Sequence, residues 1–551
     1  MLINNPIIPG FAPDPSIVRI GNTFFLVNSS FHLFPGLPIY ASSDLQSWKH
    51  IGNAFNRPTQ LSLAESSALI HDRGAANLVA AGGLWAPTIR HHEGVTYIVC
   101  TNVAHPEVHG KVTRPRFDNF ILRTTDIWAG EWSNPVPFDF NGIDPDIFFD
   151  DDGRVYIMGS SWDTPSGAIN GFEVDVTTGA KLSEERVIWT GAIKNTPEGP
   201  HVYKRDGWYF LLISEGGTHE YHQMPMARSR SPLVLYESYD GNPVLKPTAN
   251  LETQIMYTGH GDLFQDNEGE WWLTCLGVRK VKGSQSIMGR ETFLTPATWT
   301  SGDPENSWPA IQQPIKPVLD LPKYTSAAEP SSLKGQLTAQ AGVDWVWVRD
   351  PDMTLYKIDD TGNSVSLQAC STGVQVKGVP ASITFIGKRQ RQLTGRASAV
   401  LRRAQLVGKN TLSGLMYYKD EHRHASITFN SLASTVVFEV VNRVKREPIH
   451  RREIVCHLNF AGEAVLNDLE FLLVHTDLCM EFSYRSCAPV SQSGEVLEAE
   501  WSAAGSFDTG DMSDHDFTGP CIGLFAGHAV DSREDVSTEN LWCEFHDVDL
   551  L

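Results

Sequence analysis

One phrase recurs five times within the first 310 residues of this 551-residue chain, and it limits the fold more than any other feature. It consists of a short apolar strand, a polar turn ending in glycine, and an aromatic-rich strand. The copies open at Asp14-Pro-Ser-Ile-Val, Ala86-Pro-Thr-Ile-Arg, Asp144-Pro-Asp-Ile-Phe, Glu198-Gly-Pro-His-Val and His260-Gly-Asp-Leu-Phe, with turn glycines at Gly21, Gly94, Gly153, Gly207 and Gly269. Asp-Gly and Glu-Gly between apolar runs mark tight hairpins, because glycine accepts the positive φ such turns need. The turn glycines lie on average 62 residues apart, room for four antiparallel strands and their loops. Five such units predict a five-bladed β-propeller. A run of unrelated hairpins in a sandwich is the alternative.

The remaining chain reads differently. Eleven of the fifteen tryptophans precede residue 310, and a Pro/Ser/Ala-rich stretch follows from Pro314. Beyond it come short alternating runs such as Thr435-Val-Val-Phe-Glu-Val-Val, without the glycine–aromatic phrase. The expected organisation is all-β: a five-bladed propeller over 1–316, a linker over 317–335 and a β-sandwich accessory domain over 336–551.

A net charge of −21 opposes binding to phosphate backbones and anionic lipid. Neither nucleic acid nor membrane is an expected partner, and the basic clusters Lys388–Arg403 and Arg443–Arg452 read as solvated strand faces. No apolar run reaches the ~20 residues a spanning helix needs. Eight cysteines without a C-x-x-C pair give no zinc site and no legible disulfide framework. The one evident glycosylation sequon, Asn28-Ser-Ser30, falls inside an expected strand. These points favour the cytosol, with secretion after signal removal as the alternative. A homo-oligomer is left open.

The innermost strand of each blade lines the propeller channel, so the starts of the five copies converge at one end of the axis. Three carry acids: Asp14, Asp144 and Glu198. Converging carboxylates raise one another's proton affinity. A carboxyl kept protonated as general acid, with a second ionised as base, is what cleaves a glycosidic bond through an oxocarbenium-like transition state. Inversion requires the pair about 6.5–9.5 Å apart, to admit a water.

In the order and type of its motifs the chain resembles glycoside hydrolase family 43, the β-xylosidase and α-L-arabinofuranosidase group. The motifs are Pro9-Gly-Phe-Ala-Pro-Asp14-Pro, Phe31-His-Leu-Phe-Pro-Gly36, Gly83-Leu-Trp-Ala-Pro87, Gly142-Ile-Asp-Pro145, Pro197-Glu-Gly-Pro-His201, Glu215-Gly-Gly-Thr218, Gly259-His-Gly-Asp262 and Gly289-Arg-Glu-Thr-Phe293. The likeness continues through Phe385-Ile-Gly-Lys-Arg-Gln390 and Phe517-Thr-Gly-Pro-Cys-Ile-Gly523. It implies a concanavalin-like sandwich, Asp14 as the base that activates water, Glu198 as the acid, and Asp144 as the residue that holds and tunes that acid. Arg290 is expected to bond sugar hydroxyls, with Phe31, Phe34 and Trp85 as apolar walls and Phe517 or Phe507 as a lid from the sandwich. His260 is expected near a structural Ca²⁺ ion in the channel; the chemistry itself requires no cofactor.

The expected activity is inverting, exo-acting release of terminal α-L-arabinofuranosyl or β-D-xylosyl units, with arabinoxylan-derived oligosaccharides as partners. Family members show Phe-Glu-Trp-Phe-Pro-Gly where this chain has His32 and Leu33, and a shorter connection than Arg57–Gly82, which is expected here as a mobile loop at the entrance. Loss of the Trp favours arabinofuranose slightly. A catalytically silent sugar-binding propeller is the competing class, and the three acids argue against it, since a lectin needs no matched acid and base.

Overall fold

The computed structural model describes residues 2–550 except 75, 109–110, 164–165, 249–253, 282–285, 301–306, 321–336, 341, 371–382, 458–466, 488–499 and 530–540. Most of the expected linker, 321–335, lies outside the described residues. Those that are described form strands and two short 3₁₀ turns, and no helix among them is long and apolar enough to cross a membrane.

Five blades of four antiparallel strands each follow in chain order, and the first gains a fifth, parallel strand from Thr338–Ala339. Their innermost strands are Ser16–Ile20, Gly83–His92, Gly142–Phe149, Glu198–Arg205 and Ile255–Gln265. Each pairs with the aromatic-rich strand of its repeat, as the glycine turns require. Those second strands do not alternate in burial: every residue of Trp208–Ser214 is buried. A blade is covered by its neighbours on both faces, so its central strands read as continuous apolar runs. The ring is closed by the N-terminus, where Leu2–Asn4 pairs with Val318–Asp320 and the Asn5 side chain exchanges two hydrogen bonds with Leu294. Backbone pairing within the propeller therefore runs to Asp320.

The C-terminal unit stacks a seven-stranded sheet on a six-stranded one. Its core is filled by inward residues such as Phe438, Phe471, Phe482 and Phe507. The two units are stitched together by main chain. Trp347–Val348 pairs with Leu33–Phe34 of blade one. The stretch expected as a mobile entrance loop instead contains a hairpin, Ala68–Asp72 with Asn77–Ala81, whose second strand pairs with His515–Asp516 of the sandwich. The first basic cluster is also corrected. Arg391 donates to the Pro9 carbonyl and the Tyr40 hydroxyl at 2.7 Å each, and Arg389 is buried against Phe11, so these cations face the seam rather than solvent.

Candidate active site

The innermost strands of blades two to five carry the same kind of irregularity. Between Trp85 and Thr88, Ile143 and Asp146, and Glu198 and His201, two residues face one on the neighbouring strand; blade five bulges at His260, between Gly259 and Gly261. One residue in each bulge has positive φ, Ala86 (40°), Asp144 (55°), Gly199 (55°) and His260 (43°), and so does Asp14 (51°), two residues before Ser16 in blade one. Proline follows in four of the five. Non-glycine residues hold such conformations only where their surroundings enforce them, and bulges of this kind re-aim side chains at functional sites.

This register arranges the channel in two rings. The upper one holds Asp14, Ala86, Asp144, Gly199 and His260. Two residues further along each strand lies the lower one: Ser16, Thr88, Asp146, His201 and Asp262. Glu198 precedes its positive-φ residue by one position and so aligns with Trp85 and Ile143, not with Asp14 and Asp144. Its side chain is 16 % exposed, against 5 % for Asp14 and 6 % for Asp144. Two acids therefore lie deep and one at the mouth.

Asp14 is held from two sides. Oδ1 accepts from Arg290 at 3.0 Å and Oδ2 from the Ser29 hydroxyl at 2.6 Å. Ser29 Oγ in turn accepts from the Ala86 amide at 2.6 Å. Asn28 is fully buried and its Nδ2 donates to Pro13, Ala12 and Thr292, so the apparent sequon is the cradle of Asp14 and not a glycosylation site. Asp144 Oδ2 accepts from the Gly199 amide at 3.1 Å. His260 Nδ1 stands 3.9 Å from Asp14 Oδ1 and 4.0 Å from Asp144 Oδ2, and burial lowers its pKa to about 4, leaving the ring neutral.

Charge in this ring is not balanced. Burial, reinforced by Glu198 and Asp14, pushes the Asp144 carboxyl well above the usual range. Burial and the Asp14 charge raise Glu198 to about 7 against the opposing pull of Arg290. His222 adds to this. Its Nδ1 lies 3.0 Å from the Tyr257 carbonyl, which can only accept, so the proton sits on Nδ1 and the bare Nε2 faces Glu198 Oε1 at 3.7 Å. That neighbour favours a protonated Glu198.

The lower ring is the reverse. Arg90, from blade two, sends Nη1 to Asp262 at 2.7 Å and to Ser16 at 3.2 Å, and Nη2 to Asp146 at 3.0 Å and His201 at 2.9 Å. A guanidinium thus plugs the axis. The residues do not fit the Ca²⁺ ion expected beside His260: the two lower carboxylates are taken by Arg90, and no three His, Cys, Asp or Glu side chains converge to hold a metal among the described residues.

The aromatic expectations divide. Trp85 and Phe517 meet edge-on at 5.2 Å beside the pocket, both partly exposed, and Arg290 sits over Phe517 at 5.0 Å. Phe31 is 1 % exposed beneath them, 5.8 Å from Trp85 and 6.0 Å from Phe517, so it supports the wall and does not form it. Phe34 is corrected outright. It packs on Phe55 and Trp347 in the seam, because its strand pairs with Trp347–Val348. His32 is fully buried against Tyr418 of the sandwich, away from any rim. Phe507 lies in the sandwich core on Tyr417 and Phe482.

Arg290 joins the two units at the site. Beyond Asp14 it donates to Thr218 at 3.3 Å and, through Nε and Nη2, to the Phe517 carbonyl at 3.3 and 3.1 Å. Gly289 permits this approach: a Cβ there would lie 2.7 Å from the Thr518 carbonyl. The loop bearing Phe517 is anchored by buried charge, with Asp516 accepting from Lys419 at 2.6 Å and pairing with Arg423, which also pairs with Asp420.

A propeller whose axis gathers one carboxyl raised to about 7 and a second bonded to an arginine and a serine hydroxyl, beside an aromatic wall, defines a glycosidase. The chain belongs to the glycosyl hydrolases family 43, whose model matches residues 3–304, and the β-xylosidase C-terminal concanavalin A-like domain matches 338–540. It is 32 % identical over 529 residues to the non-reducing end alpha-L-arabinofuranosidase BoGH43B of Bacteroides ovatus, covering 95 % of this chain and 90 % of that one. With a xylosidase/arabinosidase of Butyrivibrio fibrisolvens it shares 31 % identity over 80 % of this chain and 82 % of that one. Among solved structures it resembles the xylan β-1,4-xylosidase of Bacillus halodurans, with a TM-score of 0.79 at 25 % identity over 99 % of both chains.

Proposed function

We propose that the chain is an inverting, exo-acting pentosidase that removes terminal α-L-arabinofuranosyl and β-D-xylosyl units from arabinoxylan-type oligosaccharides, with arabinofuranose favoured. The observation that carries this reading is the contrast in the surroundings of two carboxyls in one pocket: Glu198 is raised to about 7, and Asp14 is bonded by Arg290 and Ser29. In the reaction Asp14 removes a proton from water as the oxygen attacks the anomeric carbon. Glu198 delivers its proton to the departing glycosidic oxygen. Asp144, deep beside both and bonded to the Gly199 amide, fixes the peptide that follows Glu198.

The preference for arabinofuranose no longer rests on the missing Trp, since Leu33, which stands in its place, is buried in the seam and pairs with Val348 of the sandwich. It is supported by the name of the Bacteroides ovatus relative. Cys100, Cys275, Cys521 and Cys543, buried and in no disulfide, support a reducing compartment. The test is hydrolysis of aryl α-L-arabinofuranoside and aryl β-D-xylopyranoside, with proton NMR of the first product. The inverted anomer is expected. A retained anomer would refute Asp14 as the base that activates water, and inactivity on both substrates would leave the silent sugar-binding propeller as the better reading.

A further inference from the structure

Away from the catalytic pocket, a cavity of about 490 Å³ opens where blade one meets the ends of both sandwich sheets. That volume is within the ~300–1,000 Å³ typical of small-molecule sites. His50, on the outer strand Lys49–Phe55, lines it from the propeller, and Arg389, the last residue of Thr384–Arg389, lines it from the six-stranded sheet. The seven-stranded sheet adds the turn after Tyr356–Ile358 and the end of Trp542–Asp549. Two aromatic rings separate the cavity from the catalytic arginine: Arg389 lies over Phe11 at 5.7 Å, Phe11 stacks on Phe31 at 5.9 Å, and Arg290 lies over Phe31 at 5.4 Å.

The inner wall of the cavity holds positive charge that nothing neutralises. Arg389 is 5 % exposed, and its Nε and Nη2 have no hydrogen-bond partner among the described residues. Other buried guanidiniums are compensated, Arg90 by Asp146 and Asp262, and Arg423 by Asp420 and Asp516. Here the neighbouring acid Asp344 is taken by Lys388 at 3.0 Å, and Arg391 spends its donors on the neutral Pro9 carbonyl and Tyr40 hydroxyl. His50 is buried as well, with Nε2 unpartnered among the described residues. Burial, with Arg391 beside it, pushes the Arg389 guanidinium below its ordinary value, the direction taken by a cation that lacks an anion. A buried charge without a partner is costly to keep. The rim is opposite in sign: Asp359, Asp360 and Asp549 are all exposed there.

We infer that this cavity binds a hexuronic acid, with the sugar carboxylate on Arg389 and sugar hydroxyls donating to the aspartates of the rim. A guanidinium fork matches a planar carboxylate, which supplies the one charge the inner wall lacks. A carboxylate accepts only, so the rim calls for a ligand rich in O–H donors. A neutral sugar would leave Arg389 unpaired. Inorganic phosphate would pair with it, but has few hydrogens to offer three aspartates and carries more charge into their field.

The experiment is calorimetric titration of the full chain with D-glucuronate, D-glucose and inorganic phosphate, with excess L-arabinose present to occupy the catalytic pocket, for the wild type, Arg389→Met and Thr361→Trp. The wild type should bind glucuronate with a Kd of about 1 mM, as a ligand of this size allows, and glucose and phosphate at least about tenfold more weakly. Arg389→Met should weaken glucuronate at least about tenfold, as loss of a charged hydrogen bond does. Thr361→Trp leaves Arg389 in place and fills the mouth from an exposed turn, so it should weaken glucuronate equally even if Arg389→Met does not fold. No binding by the wild type, equal binding of glucose or phosphate, or a Kd unchanged in either folded variant overturns the site. Hydrolysis of the aryl glycosides, which tests the pocket, is independent of every one of these results.

Discussion

The two rings of the channel stand two residues apart on the same strands, and each contains two aspartates, yet they are opposite in charge balance. In the lower ring burial works to raise Asp262, but Arg90 and His201 outweigh it and hold the carboxyl at about 2. Among the described residues the only arginine in contact with the upper ring is Arg290, which serves Asp14, so Asp144 and the neighbouring Glu198 rise. The difference comes from where a single guanidinium reaches, not from the backbone, which repeats. A compensated ring is a structural plug; an uncompensated one stores a proton near neutral pH.

Several substitutions separate the two behaviours. Asp14→Ala should lower kcat on an arabinoxylo-oligosaccharide by about a thousandfold, within the range of a lost general base, while circular dichroism and Tm stay near wild type. Arg90→Met acts in the other direction. It strands Asp146 and Asp262 without their partner and should destabilise the fold by about 3–5 kcal/mol, seen as a lower denaturation midpoint; a midpoint within error of wild type would remove the plug from the account.

Glu198→Gln sharpens the contrast through pH. A carboxyl whose pKa is raised on folding supports stability below its ordinary 4.5, and that support is lost as pH climbs to about 7. The variant carries no such charge, so it should match wild type near pH 4 and exceed it by about 3 kcal/mol above pH 7. Equal stability at both pH values would contradict the burial of that charge. The smallest effect concerns metal. With Arg90 filling the axis, exhaustive chelation should change neither activity nor midpoint, and restoration of activity by added calcium after chelation would refute the plug.

Much of this was legible in the sequence because the repeat is local. Asp-Gly and Glu-Gly turns spaced along aromatic strands fixed the number of blades, and Asp14, Asp144 and Glu198 stand out at their openings. Three things were not. The offset of Glu198 depends on which residue of the bulge turns to positive φ, and counting from the turn glycine places it level with the others. Arg90 reads as an ordinary polar residue in a strand, although the polar series Ser16, Thr88, Asp146, His201 and Asp262, each two residues past the positive-φ residue of its blade, was there as a signal. The seam was hidden for a different reason. Phe34, His32 and Arg391 owe their roles to partners some 300 residues or more away in the chain, such as Trp347, Tyr418 and Pro9, which no local pattern reports.

The most direct test of the proton-storing ring is Glu198→Ala assayed on two substrates that differ only in leaving group, an aryl arabinofuranoside whose phenolate departs readily and an arabinoxylo-oligosaccharide whose alkoxide must be protonated. The account predicts a loss of about a thousandfold on the oligosaccharide and a far smaller one on the aryl glycoside. Equal losses on both would show that Glu198 does not donate the proton.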